Sequence, residues 1–237
     1  RLRCDWSSDV CSSDLLWDNE SQLNSDTPTF AHSFLSAGYD TVLSGRMHFV
    51  GWDQRHGYAQ RLISDVPQSA HLAAGWKLRD VLGDLVDTPG MSLTGLLKSG
   101  PGRTGYHAYD EAVTHTTVEW LRQRGLSRQE KPFLLTVGYV APHCPFVAPP
   151  ADFETYRRRI AYSDLPLPDE ALHPANAVRR QKFGTDPAPP VDAQWRSRVA
   201  YYGLCTFLDR QVGAVALCFE TDGVGGKYDC NLLLRPR

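Results

Sequence analysis

Hydrophobic and polar positions along this chain switch between a helical and an extended period. In PTFAHSFLSAGYDTVLSG, Pro28 suits a first helical turn, Phe30, Phe34 and Leu35 recur at helical spacing, and Gly38 stands where a helix stops. TVLSG follows as a short β-rich run, which makes helix, tight turn and strand, half of a parallel α/β crossover unit. From Asp110 to Arg124, DEAVTHTTVEWLRQR places Ala112, Val113, Trp120 and Leu121 on one imperfect face, acidic residues first and basic ones last, as a helix dipole favours. Gly125 closes that helix, and PFLLTVGYV is a nearly continuous apolar run that predicts a strand buried on both faces of a parallel sheet. A third helix is predicted from Gln194 to Thr221, with Val199, Tyr202, Leu208, Val212, Val215 and Leu217 on its apolar face. Between Pro142 and Pro190 the chain is Pro-rich, and YSDLPLPDEALHP and DPAPPVDA predict long surface loops around a site.

Composition narrows the field. The chain has 237 residues, 42% of them hydrophobic, which suits one globular domain with a sizeable core. A net charge of -2 argues against a general nucleic-acid binder. No run approaches the roughly 18 apolar residues of a membrane span, and the first residues lack the basic-then-apolar order of a secretory signal. Six cysteines are too few for a disulfide scaffold and form no CxxC pair, so buried free thiols are expected. Compartment and oligomeric state are left open.

Two strand ends carry the candidate chemistry. In SGRMHFVG, Arg46 and His48 are two apart, so in an extended segment they project to one side while Met47 and Phe49 face the other. A guanidinium beside an imidazole makes a seat for a tetrahedral anion. In APHCPF, Pro142 and Pro145 hold the chain out of helix and fix His143. Open α/β sheets place ligands at such C-terminal strand ends. His32, His71, His107, His115 and His173 are read as structural.

Resemblance extends the reading. PTFAHSFLSAGYDTVLSGRMHFVGWDQRHGY, FLLTVGYVAPHCPFVAP and RVAYYGLCTFLDRQVGAV resemble, in order, three blocks of the sulfatase family in the alkaline-phosphatase-like superfamily, closest to choline-sulfatase-like members. The resemblance covers about residues 16–223 and implies an α/β fold: part of an alkaline-phosphatase-like sandwich, a mostly parallel sheet flanked by helices, incomplete. It implies hydrolysis of a small-molecule sulfate ester. Arg46 falls where most members have Lys, bridging sulfate and nucleophile. His48 matches the histidine acting as base on a hydrated formylglycine, and His143 the one that contacts sulfate and protonates the leaving alkoxide. Gln54 and His56, in GWDQRHGY, resemble a segment typical of choline-sulfatase-like members and are read either as substrate-binding candidates on a pocket rim or as parts of a structural loop.

The same resemblance implies calcium and a nucleophile in a C/S-x-P/A-x-R motif. Both are expected to be missing: neither Cys4 nor Cys11 is followed by the required residues, and GGKYDCNLLLRPR stands where a metal-binding strand is expected. Residues 1–15 contain DWSSDVCSSDL, which resembles a translated sequencing adapter, and are expected to be an artefactual leader; residues 224–237 are expected to be a non-matching tail. As written, the chain is expected to be poorly stable and without turnover. The rival readings are a phosphonate or phosphodiester hydrolase of the same superfamily, and a non-catalytic remnant.

Overall fold

A computed structural model describes residues 21–65, 92–127, 131–162 and 173–221. The chain divides into two compact units, one of Arg1–Val81 and Gln123–Gly138, the other of Leu82–Arg122 and Tyr139–Arg237.

In the first unit, helix α1 (Phe30–Ser36) leads through Gly38 (φ +88°) into strand β1 (Asp40–Gly45), the helix, turn and strand predicted by the pattern. Strands β2 (Gln60–Ile63) and β4 (Phe133–Gly138) flank β1 in parallel, in the order β2-β1-β4, and β1 aligns with β4 from Asp40↔Phe133 to Gly45↔Gly138. β1 is therefore the buried strand, with Thr41 to Ser44 all 0–1% exposed. β4 is half-buried throughout, which corrects the expectation of two-face burial: an apolar run reports composition, but the place in the sheet decides how much water is excluded. Ala31, Leu43 and Tyr58 form the core of this unit, with Met47, Phe49 and Leu134 packed on it. Arg124 ties the start of β1 down, donating from Nη1 to Asp40 Oδ2 (3.0 Å) with its guanidinium over the Phe133 ring.

In the second unit, α2 (Leu93–Leu97), β3 (Gly100–Pro101), β5 (Val147–Ala148), α4 (Pro150–Arg157), α5 (Pro174–Lys182) and α6 (Val191–Thr221) accompany most of α3 (Gly105–Leu126). β3 and β5 pair in parallel. α3 begins five residues before the predicted Asp110, because the Thr104 N–H donates to His107 Nδ1 (3.0 Å) and caps the first turn. The stretch between Pro142 and Pro190 is less irregular than expected. Pro150 and Pro174 occupy first helical positions, where a missing N–H costs nothing, so these prolines start α4 and α5. Residues 163–172 of YSDLPLPDEALHP lie outside the described residues. The core here is Ala148, Phe153, Val199, Ala200 and Leu204. Among the described residues no helix is long and apolar enough to cross a membrane.

Candidate functional site

Four of the five residues singled out from the sequence lie in the first unit, on the segment that leaves β1. The ladder ends as the Arg46 N–H donates to Gly138 O (2.9 Å). A Cβ on Gly138 would sit 1.8 Å from Arg46 O, so only glycine allows β4 to pass this close to the turn. The chain does not stay extended there: Gly45 (φ +91°) and His48 (φ +62°) are both left-handed. The turn still turns Arg46 and His48 toward one another, with Arg46 Nη2 3.0 Å from His48 Nδ1, while Met47 and Phe49 pack on the core. The expected partition of side chains holds, but a turn produces it.

Arginine can only donate, so His48 Nδ1 accepts, and a neutral His48 ring carries its proton on Nε2. The turn is held from below by Asp65, whose Oδ2 accepts the N–H groups of Met47 (3.0 Å) and His48 (2.5 Å). Arg61 lies 3.6 Å from that oxygen and also donates to Gln54 O, Gln54 Oε1 and Gly45 O.

Gln54 and His56 have surroundings unlike those of a pocket rim. Gln54 Nε2 donates to the carbonyls of Phe49 (3.0 Å) and Gly51 (2.8 Å), so its amide braces the loop. His56 is 1% exposed, its ring 4.4 Å from that of Phe49, and burial lowers its pKa, with Asp53 opposing the shift. Its carbonyl accepts from Thr29 Oγ1 (2.6 Å), which anchors the loop to the start of α1.

His143 belongs to the second unit, in the turn after β4. Its N–H donates to Val140 O (3.1 Å), and its ring stands edge-on to Tyr106. His143 Nδ1 is 2.6 Å from Cys144 O. A carbonyl only accepts, so Nδ1 carries the proton and the neutral ring keeps its lone pair on Nε2, the opposite tautomer to His48. Asp110, fully buried on α3, accepts the N–H groups of Val140 (2.8 Å) and Ala141 (2.9 Å). His107, read as structural, lines a small cavity with His143 and Asp110. Burial, assisted by Arg103, lowers its pKa to about 4, and its Nε2 has no hydrogen-bond partner among the described residues.

Asp65 and Asp110 were not among the residues singled out from the sequence. The signal available was a lone acidic residue beside an apolar run, as in RLISDV. The letters Ser-x-Pro-x-Arg also occur, at Ser99–Arg103. There Ser99 is 1% exposed and its hydroxyl donates to Gly95 O (3.2 Å), so this run closes α2 and enters β3. Among the described residues no group of three or more His, Cys, Asp or Glu converges to hold a metal ion. A calcium ion takes six to eight oxygens, and the described residues do not fit one.

Residues 8–224 match the sulfatase family. The chain is 30% identical over 210 residues to a choline-sulfatase of Rhizobium meliloti (strain 1021), covering 84% of this chain and 40% of that protein. It is 29% identical over 117 residues to an arylsulfatase of Clostridium perfringens (strain 13 / Type A), covering 47% and 22%. The chain thus spans less than half the length of these relatives. In fold it resembles the phosphonate monoester hydrolase of Agrobacterium radiobacter, with a TM-score of 0.55 at 20% identity over 86% of this chain and 46% of that one. With parallel strands flanked by helices and three ordered sequence blocks inside the matched span, this chain belongs to the sulfatase family.

Proposed function

We propose that this chain carries the anion-holding part of a sulfuric ester hydrolase that acts on a small-molecule sulfate ester. The observation that supports this most is the Arg46–His48 pair at the C-terminal end of β1, in a chain of the sulfatase family. Arg46 supplies a permanent positive charge and a fork of donors for sulfate oxygens. His48, its proton on Nε2, donates to the same anion. To act as a base it must move that proton to Nδ1 and release Arg46, so anion holding is its first role and base catalysis its second.

His143 is proposed as the proton donor to the leaving alkoxide: Cys144 O fixes the ring through Nδ1, and Nε2 takes up and delivers the proton. Gln54 and His56 serve the substrate through the loop they brace. The described residues bring together no group that would hold calcium, and the roles proposed are those of Arg46, His48 and His143 alone.

Titration of the chain with inorganic sulfate and methyl sulfate, read on the histidine ring resonances, tests this. Both should shift His48 and His143, and Arg46→Met should abolish the His48 response with the circular dichroism unchanged. Silent rings refute the proposal. Stronger displacement by a phosphonate monoester than by methyl sulfate moves the reading to phosphonate ester hydrolysis.

A further inference from the structure

Two of the candidate histidines, His48 and His143, stand at or just after a pair of main-chain N–H groups that a buried aspartate collects. Asp65 is 4% exposed and accepts from Met47 and His48 through one oxygen; Asp110 is 0% exposed and accepts from Val140 and Ala141 through both. In both cases the N–H groups lie just past the end of a parallel strand. The first clasp ends on His48 itself, the second stands two residues before His143.

A carboxylate is a costly acceptor for this task. A neutral carbonyl or hydroxyl would satisfy the same donors without burying a charge. At Asp65 that charge, offset in part by Arg61 at 3.6 Å, also opposes an anion held by Arg46 and His48. What a carboxylate adds is bond strength and direction, because charge-assisted hydrogen bonds are short and about twice as strong as neutral ones. Two consecutive peptide planes are thereby fixed, and with them the exit direction of the histidine side chain. At His48 the need is explicit, since its φ of +62° lies in a region L residues occupy at a cost.

We propose that Asp65 and Asp110 are positioning residues: each sets its strand-end histidine through the main chain, Asp65 for His48 and Asp110 for His143. As far as the ligand is concerned, this rests on the sulfate reading above.

Charge and position predict opposite results. If the carboxylates acted only as charges, their removal would tighten sulfate binding; if they position, removal weakens it. Asp65→Ala should weaken sulfate binding at least about tenfold and speed hydrogen exchange at Met47 and His48 by a similar factor, as expected for the loss of a charge-assisted bond. Exchange at Val42 and Leu43 should be unchanged. Asp65→Asn, which keeps an oxygen acceptor, should restore most of both. Asp110→Ala should speed exchange at both Val140 and Ala141, whereas Asp110→Asn, which keeps one accepting oxygen and sets a donor in place of the other, should speed it at one of the two; if the alanine variant does not fold, that asymmetry in the asparagine variant decides. Tighter sulfate binding in Asp65→Ala, or unaltered exchange at the clasped amides, overturns it. If the parent chain binds no sulfate, the sulfate reading fails and the exchange data alone decide the positioning role.

Discussion

His107 should make the protein acid-labile in a defined window. Its ring is 2% exposed, with Nδ1 on the Thr104 N–H and a T-shaped contact to the Phe207 ring at 4.8 Å, and its pKa falls from 6.5 to about 4, chiefly through burial. Above 6.5 both folded and unfolded chains carry a neutral ring, so this residue adds no pH dependence. Below 6.5 the unfolded chain takes up a proton that the folded one refuses, and stability falls with pH. At about 1.4 kcal/mol per pH unit, the loss accumulates to about 3 kcal/mol by pH 4. In His107→Asn, whose side-chain oxygen can accept from Thr104, this loss should vanish. Urea unfolding followed by tryptophan fluorescence from pH 8 to pH 4 gives the measurement. The parent should lose about 3 kcal/mol more than the variant between pH 6.5 and pH 4; His56 is present in both and cancels. Parallel stability curves across that window would refute the assignment.

The other predictions concern packing and the turn after β1. A Cβ on Gly203 would meet Ala148 Cβ at 2.7 Å, whereas one on Gly213 meets nothing within 4 Å. Gly213→Ala should therefore raise the free energy of unfolding by up to about 1 kcal/mol through helix propensity, while Gly203→Ala should lower it despite the same gain, overpacking costing about 1–3 kcal/mol. Arg210 grips Asp152 with both Nη1 (2.7 Å) and Nη2 (2.6 Å), but its side chain is half exposed, so Arg210→Ala should cost only about 1 kcal/mol in urea unfolding. Gly138→Ala should displace Arg46 and abolish the sulfate-induced shift of His48, read by the titration proposed above.

The elements legible in the sequence were those with a clear period and a clear stop. α1, β1, α3 and α6 follow from the spacing of Phe30, Phe34, Val113, Leu121 and Val199 and from Gly38, whereas Gly125, expected to close α3, lies inside it one residue before its end. The burial of β4 was not legible, since FLLTVG describes the strand and not its neighbours. α4 and α5 were hidden because their prolines read as breakers, although at a first helical position they are starters. Arg46, His48 and His143 stood out through their motifs. Asp65 and Asp110 did not, because they act on main-chain atoms 17 to 31 residues away, and sequence spacing says nothing of such closures.

α6 sets an order on the making of this protein. It is 31 residues long, about 46 Å at the usual rise, and it comes last among the described elements. Earlier segments attach along it: Ser99 through Arg196, Ile160 through Trp195, Asp152 through Arg210, Thr114 through Gln211 and Val118 through Cys218. Several of these closures span about a hundred residues, so the second unit is rich in slow, non-local contacts. As the chain is synthesised, the β2-β1-β4 sheet has all three strands once Gly138 is made. The second unit, His143 and Asp110 included, must wait for α6, and until then its apolar faces depend on shielding by other means.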